Sequence, residues 1–448
     1  MTSPDSAPPR PSYADALAVY LKPRVLIVLF LGFSSGLPLA LSGSTLAVWL
    51  TESNIDLGTI GLFSLVGLPY TFKFLWAPLT DALDVPVLSR KLGRRRGWLV
   101  FTQLLLFATI VFLGFCDPVR SLPLIVFGAV LVATASATQD IVVDAFRVES
   151  LETSEQGAGM AGYVAAYRIG MLASGAGVLV LVAMLERMGV AHSAVWMWGY
   201  IAAAFCMGIG MVATLLATEP DAPPQLVDHN HAPLRRLAET ATGAFGEFLA
   251  RDAAIAVLLF VVLYKFCDAF AGALTAAFVI NIGFDKATYA AVVKGVGLAA
   301  ALIGGFAGGS LVRALPLATS LWIGGFVQML SNLTFSWLAL VGTSLPALTV
   351  TIIVENFTGA IGTVIFVAYL SALCGNRAHT ATQYALLTAL AAVGRTTLAS
   401  GGGFIAEDWG WVTFFVITAL SAIPSLILLW WLQVRGHFKS LEPAKAAG

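Results

Sequence analysis

The chain has 448 residues, of which 58% are hydrophobic and only 11% are charged. A water-soluble domain carries about twice that share of charged residues, so the composition excludes a soluble protein and indicates one whose main solvent is lipid. The 25 basic and 25 acidic residues cancel, which gives no sign of a nucleic-acid partner.

A polar leader, residues 1–24, precedes the first long apolar stretch. This stretch is too long for the core of a signal peptide, so we expect it to stay in the protein as a membrane span. A helix needs about 20 apolar residues to cross a bilayer, and twelve stretches qualify. The predicted spans 1 to 12 are residues 25–50, 57–79, 98–116, 122–145, 160–185, 194–216, 253–282, 289–311, 315–341, 345–373, 382–405 and 411–432.

The longest polar segment, residues 219–252, separates span 6 from span 7. It opens with several prolines and continues with apolar residues at helical spacing, which predicts an amphipathic surface helix. The sequence therefore divides into the leader 1–24, an amino-terminal half 25–218, this linker 219–252, a carboxyl-terminal half 253–434 and a tail 435–448.

The loop charges orient the spans. If the amino terminus lies in the cytoplasm, the segments on that side hold 17 Lys and Arg residues, whereas the opposite loops hold 3. Lys and Arg are enriched in cytoplasmic loops of membrane proteins. The sequence therefore predicts that both termini are cytoplasmic.

Spans 5 and 11 share a motif. Arg168 is followed by Ala-Ser-Gly-Ala-Gly at 173–177, and Arg395 is followed by Ala-Ser-Gly-Gly-Gly at 399–403. Small residues are common where helices touch, so the match is weak by itself. Together with the count of six plus six spans, it predicts an all-α membrane protein with the major facilitator fold. In that fold two six-helix pseudo-repeats enclose a substrate site near the midplane.

Nine ionisable side chains fall within the predicted spans. Each costs about 2.5–3.5 kcal/mol at a helix centre on insertion scales, so we expect each to be paired or functional. They are Lys73, Asp140, Asp144, Arg168, Lys265, Asp268, Lys294, Glu355 and Arg395.

In the amino-terminal half these charges lie at two depths. Asp144 and Arg147 are one helical turn apart at the cytoplasmic mouth of span 4, which predicts a structural latch to the basic loop. Asp140 lies one turn deeper, at a depth comparable to Arg168, and Lys73 lies about two turns inside span 2. A buried ion pair and contact with a substrate both remain open for these deeper residues.

In the carboxyl-terminal half the charges lie near mid-span. Lys265 and Asp268 are spaced i, i+3, so an ammonium and a carboxylate neutralise each other on one turn. A carboxylate paired in this way can exchange its cation for a proton when the site changes sides. Mid-membrane carboxylates often mark proton relays, so we predict proton coupling through Asp268 and Glu355, with Asp140 as the next candidate.

The sequence gives no sign of metal, cofactor or catalytic chemistry. The four cysteines are scattered singly, and all five histidines lie in loops or tails. No further ligands follow His229 and His231 at zinc spacing, so we interpret this part of the linker as solvated. Since a clustered catalytic set is also lacking, we predict no metal, no cofactor and no enzyme activity.

Several separate motifs resemble those of one known family. They are LGFSSGLP at 31–38, GLPY at 67–70, FKFLWAP at 72–78, QDIVVDAFR at 139–147, LYK at 263–265 with Asp268, ENF at 355–357 and QYAL at 383–386. Over residues 24–432 the chain resembles the muropeptide permease family of the AmpG type.

The resemblance implies an importer in the inner membrane of a Gram-negative bacterium. The family carries N-acetylglucosaminyl-1,6-anhydro-N-acetylmuramyl peptides, released from the cell wall, into the cytoplasm for recycling. Transport is driven by the proton gradient and is linked to β-lactamase induction. The expected partners of this chain are therefore the glycopeptide, protons and the lipid bilayer, with a monomer as the expected state and no nucleic acid.

The resemblance also suggests a substrate-binding set. We expect peptide carboxylates near basic side chains, and sugar hydroxyls and amides near polar ones. The expected basic contacts are Lys73, Arg168, Lys265, Lys294 and Arg395, and the expected polar contacts are Gln139, Asp140, Tyr163, Gln383 and Tyr384.

The loop after span 2 departs from the general facilitator pattern Gly-x-x-x-Asp-Arg-x-Gly-x-Arg-Arg. Ala77 stands where glycine is usual, and an insertion separates Asp81 from residues 93–95. We assign Asp81 to the structural latch with Asp144 and Arg147. The alternative function is a related facilitator for another large anion such as acetyl-coenzyme A, although a nucleotide carrier should present more basic residues to the phosphates.

Overall fold

The computed structural model describes residues 18–55, 59, 63–152, 154–221, 233–284, 288, 290–374, 379–399 and 402–441. Within these ranges all regular secondary structure is helical. Ten helices there are long and apolar enough to cross a bilayer. They correspond to every predicted span except spans 2 and 11, which are helical but do not meet the same criterion.

In the amino-terminal half the helices extend beyond the predicted apolar stretches. Span 4 is predicted to end at residue 145, but its helix runs to Ser150, and Glu149 in its last turn pairs with Arg95. Span 5 is predicted to begin at residue 160, but its helix begins at Gln156, which donates hydrogen bonds to the carbonyl oxygens of Val148 and Leu151. Span 1 comprises Pro23–Ser42 and Ser44–Glu52, span 3 Arg94–Phe115, span 4 Leu122–Ser150, span 5 Gln156–Leu172 and Val178–Arg187 joined by the π-helical turn Ala173–Gly177, and span 6 His192–Leu216.

Span 2 is broken into short pieces. Its described part consists of a 3₁₀ turn Phe63–Gly67, a helix Leu68–Phe72, a 3₁₀ turn Lys73–Leu75 and a helix Ala77–Ala82, and a short helix Leu88–Leu92 follows in the loop. Pro69 and Pro78 stand in the first turns of two of these pieces. Proline has no backbone N–H and fits the start of a helix, so it favours a new helix start at each point. Lys73 therefore lies at a break in the span.

The linker contains the helix Pro233–Leu249. Span 7 comprises Ala254–Tyr264 and Phe266–Asn281, span 8 the π-helical turn Ala290–Val296 and Gly297–Ala314, span 9 Leu317–Val341, span 10 Leu345–Leu373 and span 11 Thr380–Ala399. The helices Gly402–Leu420 and Ile423–Val434 complete the spans, and His437–Leu441 lies in the tail. Gly410, whose φ is 76°, interrupts the helix between the end of span 11 and the start of span 12.

Glycines allow helices to pack closely inside each half. Span 1 runs along span 5, where a Cβ atom on Gly36 would overlap the carbonyl oxygen of Tyr167. Span 8 runs along span 10, where a Cβ atom on Gly304 would overlap the carbonyl oxygen of Phe357. Close backbone approach through small residues is the main way in which helices associate in lipid. These glycines therefore serve packing rather than substrate contact.

The two halves contact each other through a few pairs of spans. Span 5 packs against span 8, and spans 2 and 4 pack against span 11. At one crossing a Cβ atom on Gly157 would lie 2.7 Å from the carbonyl oxygen of Gly309, so spans 5 and 8 touch through their backbones there. Farther along span 5, residues of spans 5 and 8 line a cavity between the halves.

Candidate functional site

A cavity of about 120 Å³ lies between the halves. It brings together three residues that the sequence analysis had singled out separately, Arg168 of span 5, Asp268 of span 7 and Glu355 of span 10. The rest of its lining is small, apolar or neutral and comprises Val164, Ala165, Ala301, Leu302, Gly305, Asn356, Gly359, Ala360 and Thr363. The charges of the two halves thus face one shared space.

The ion pair predicted in span 7 is present. Lys265 Nζ lies 2.8 Å from Asp268 Oδ2 and also donates a hydrogen bond to the carbonyl oxygen of Gly359 at 3.3 Å. Lys265 stands where span 7 breaks between its two helices, so Asp268 lies in the first turn of the second helix. The free N–H groups and the dipole at a helix start favour a negative charge there. Asp268 therefore lies between a cation and the start of a helix.

Glu355 is the second carboxylate of the cavity. Its Oε2 accepts a hydrogen bond from Asn356 Nδ2 at 2.6 Å. It lies within electrostatic reach of Asp268, Lys265 and Arg168. Two acids and two bases thus form a neutral group of four, so a proton or a charged ligand that binds one member changes the balance of the others.

The charges in the amino-terminal half form a second group, on the side of the basic loop. Asp144 Oδ2 lies 3.7 Å from Lys73 Nζ, and Asp144 Oδ1 lies 3.8 Å from Arg147 Nη2. Asp140 also lies beside Lys73. Lys73 and Asp144 are both buried. Lys73, which we had expected to contact substrate, is thus placed with the residues of the predicted latch.

Hydrogen bonds tie the two halves together at the end of the bundle that carries the basic loop. Asp81 Oδ2 accepts hydrogen bonds from the backbone N–H and the hydroxyl of Thr382, at 2.9 and 2.7 Å. Arg147 Nη1 donates to Ser371 Oγ at 3.0 Å, and its guanidinium lies 5.3 Å from the ring centre of Tyr384. Spans 2 and 4 thus bind the adjoining ends of spans 10 and 11, and these contacts close this end of the space between the halves.

A buried salt bridge holds Asp81 in place. Arg95 Nη2 lies 2.8 Å from Asp81 Oδ1, and the same guanidinium bonds to Glu149 at 2.5 and 2.9 Å. The sequence analysis included Asp81 but missed Arg95, Glu149 and Thr382. Arg95 lies in the run of three arginines after the loop, which entered the sequence analysis through the loop charges and the facilitator loop pattern but not as a partner of Asp81.

Two residues expected to bind substrate lie at this closed end instead. Gln383 Nε2 donates to Glu247 Oε2 of the linker helix at 3.1 Å. Tyr384 is buried under the guanidinium of Arg147. In this conformation neither lines the cavity, because span 11 begins at Thr380 and places both on its first turns.

The remaining residues predicted to bind substrate are Tyr163, Gln139, Lys294 and Arg395. Tyr163 is buried in span 5 beside Tyr167, with ring centres 6.1 Å apart. Gln139 is fully buried, and its Nε2 lies 3.4 and 3.5 Å from the hydroxyls of Ser34 and Ser35. The side chains of Lys294 and Arg395 lie outside the described residues.

The sequence is similar to known transporters. The sequence profile of the Major Facilitator Superfamily matches residues 28–393. The chain is 42% identical over 418 residues to the anhydromuropeptide permease of Escherichia coli (strain K12), a match that covers 92% of this chain and 80% of that protein. It is 33% identical over 412 residues to putative transporter AmpG 4 of Rickettsia conorii, covering 92% of this chain and 97% of that protein.

Solved structures share the architecture. The transporter FucP in its outward conformation superposes with a TM-score of 0.68 at 16% identity, covering 92% of this chain and 99% of that one. The proton:xylose symporter XylE, bound to 6-bromo-6-deoxy-D-glucose, superposes with a TM-score of 0.64 at 12% identity, covering 92% of this chain and 96% of that one. At these identities the likeness is one of fold.

Proposed function

Because the chain belongs to the major facilitator superfamily and, within it, to the AmpG family of anhydromuropeptide permeases, we propose that it imports anhydromuropeptides into the cytoplasm together with protons. The predicted all-α fold and the resemblance found in the sequence are both confirmed. The family consists of multi-pass membrane transporters, so this protein is a transporter and not an enzyme.

The observation that carries the proposal is the 42% identity to a protein named for this substrate, over 92% of the present chain. The cavity between the halves supports it. Arg168 and Lys265 supply cations that suit the carboxylates of a stem peptide, and Asp268 and Glu355 supply carboxylates that suit protons.

The pairing of Lys265 with Asp268 suggests how substrate and proton are coupled. A proton taken up by Asp268 removes the negative charge that holds the Lys265 ammonium at 2.8 Å. The ammonium then attracts a peptide carboxylate more strongly, since its own partner has been neutralised. After the site opens to the cytoplasm, loss of the proton restores the ion pair and expels the carboxylate.

The small size of the cavity supports a conformational change during transport. Binding sites for drug-sized ligands occupy about 300–1,000 Å³, whereas the volume of this cavity is about 120 Å³. We propose that residues 25–218 and 253–434 rock as two units joined by the linker 219–252, as in alternating access. With both termini in the cytoplasm of an inner-membrane protein, the closed end with Asp81 and Thr382 faces the cytoplasm.

The test is uptake of labelled anhydromuropeptide by purified protein in proteoliposomes, with and without an inward proton gradient. We expect accumulation with the gradient and only equilibration without it. Unlabelled anhydro-disaccharide and disaccharide-peptide should compete, whereas free stem peptide and acetyl-coenzyme A should not. Inhibition by acetyl-coenzyme A alone would reject the muropeptide assignment in favour of a carrier for that other large anion.

A further inference from the structure

Seven polar atoms in the described part of the amino-terminal half are buried without a hydrogen-bond partner. Three belong to Arg147 and Ser150 at the end with the basic loop, and the other four lie deeper in spans 2 and 4. They are the hydroxyl of Tyr70 in span 2 and Ser136 Oγ, Gln139 Oε1 and Asp140 Oδ1 in span 4. Buried polar atoms are nearly always hydrogen-bonded, because leaving one unpaired destabilises the protein. Such atoms gathered at one place in a transporter point to a ligand that binds them during the cycle.

The fold places these atoms together. Ser136, Gln139 and Asp140 are spaced i, i+3 and i+4, so they share one face of the helix Leu122–Ser150. Span 2 packs on this helix, and the Tyr70 hydroxyl lies beside that of Ser136 without forming a hydrogen bond. The amide nitrogen of Gln139 points to Ser34 and leaves Oε1 free.

This group does not line the central cavity, but span 5 approaches both. Tyr167 of span 5 lies within electrostatic reach of both Asp140 and Arg168. Arg168 lines the cavity, and Asp140 belongs to the unpaired group. A ligand that extends from the cavity toward span 4 would therefore reach these atoms when the halves separate.

The chemistry of the group selects a neutral ligand that donates hydrogen bonds. Lys73 and Arg147 balance Asp140 and Asp144, so the surroundings carry no net charge. Gln139 Oε1 and Asp140 Oδ1 are acceptors in need of donors. A peptide carboxylate offers acceptors only and cannot donate to these two oxygens, whereas an amino sugar offers the N–H of its acetamido group and several hydroxyls.

We propose that Tyr70, Ser136, Gln139 and Asp140 form a subsite for an N-acetylated amino-sugar ring, which rests on the proposed function. Two separate groups of side chains then recognise different ends of one substrate. Spans 2 and 4 bind the neutral disaccharide, and the cations Arg168 of span 5 and Lys265 of span 7 bind the charged stem peptide.

The test uses Tyr70→Phe and Ser136→Ala, each of which removes one hydroxyl. The inhibition constant of free anhydro-disaccharide is measured against uptake of labelled disaccharide-tripeptide in proteoliposomes. We expect it to rise on the order of tenfold in each variant, since one hydrogen bond to the ligand is lost. The preference between tripeptide and pentapeptide substrates should not change, because the peptide binds elsewhere.

Tyr200→Phe is the matched control. The Tyr200 hydroxyl donates to the carbonyl oxygen of Leu41 at 2.8 Å, so its hydrogen bond is made within the protein. Its loss should lower the thermal unfolding midpoint and leave the inhibition constant unchanged. Tyr70→Phe and Ser136→Ala should do the reverse, because neither hydroxyl has an intramolecular bond to lose.

The outcomes separate this inference from the proposed function. If the wild-type protein imports muropeptides and both variants keep its inhibition constant for the disaccharide, the subsite is rejected and the proposed function stands. If the wild-type protein takes up no muropeptide, both are rejected.

Discussion

The carboxylate of Asp81 accepts two hydrogen bonds from Thr382, one from the backbone N–H at 2.9 Å and one from the hydroxyl at 2.7 Å. Thr382 lies in the first turn of the helix Thr380–Ala399, whose start favours a negative charge. The other carboxylate oxygen is bound by Arg95 at 2.8 Å. One buried anion therefore joins the end of span 2 to the start of span 11 and holds the halves together there.

Replacing this anion should loosen the closed end. Asp81→Asn removes the charge from bonds that each contribute about 1.5–3 kcal/mol when one partner is charged, which is enough to shift the balance of open and closed states more than tenfold. A cysteine introduced at Thr363 in the cavity should then react faster with a thiol reagent applied from the cytoplasmic side of inside-out vesicles. Steady uptake should fall as well.

The matched control is Asp84→Asn, which changes an exposed carboxylate in the same loop. It should leave both labelling and uptake at wild-type levels. Equal labelling rates in Asp81→Asn and in the wild type would mean that the bonds to Thr382 do not hold the closed state.

The contact between spans 1 and 5 leaves no room for a side chain at Gly36. Gly36→Ala would place a methyl group on the carbonyl oxygen of Tyr167, and backbone cannot move aside as a flexible side chain can. We expect a loss of about 1–3 kcal/mol, typical of overpacking, seen as a lower thermal unfolding midpoint. Gly208→Ala in span 6 meets no atom within 4 Å and should be tolerated. Equal midpoints for the two variants would disprove the close contact.

The sequence predicts the spans well because the length of an apolar segment is a local property that the bilayer sets. It missed the breaks in span 2, which begin new helices at prolines, and the helix ends at Ser150 and Gln156, where polar side chains make tertiary contacts. The cavity group was only half predictable. The spacing of Lys265 and Asp268 indicates their pair, but that Arg168 faces both Asp268 and Glu355 depends on how the halves pack.

The misplaced residues have the same explanation. Gln383 and Tyr384 belong to a motif typical of the family. Their position in the chain did not show whether they line the cavity or lie at the closed end of the bundle. Only the packing of the linker helix and of Arg147 on the first turns of span 11 makes that distinction.

The orientation of the protein in the membrane that the loop charges predict can be tested directly. Val119 and Lys91 are both exposed, in loops on opposite sides of span 3. In intact spheroplasts, a cysteine at Val119 should react with an impermeant thiol reagent and a cysteine at Lys91 should not. Both should react once the membrane is permeabilised. Labelling at Lys91 but not at Val119 in intact spheroplasts would reverse the topology.

The assignment of proton coupling to the cavity carboxylates gives the last prediction. Asp268→Asn keeps the size of the side chain but fixes it in a neutral state, so Lys265 loses its anion permanently and no proton is carried. Accumulation driven by the gradient should be abolished, whereas exchange of labelled for unlabelled substrate should persist. Glu355→Gln should also abolish accumulation if the two acids act as one group. The control is Glu407→Gln, at an exposed position in the same half, which should accumulate substrate normally. If Asp268→Asn and Glu355→Gln both accumulate substrate with the normal dependence on pH, coupling resides elsewhere, and Asp140 beside Lys73 is the next carboxylate to replace.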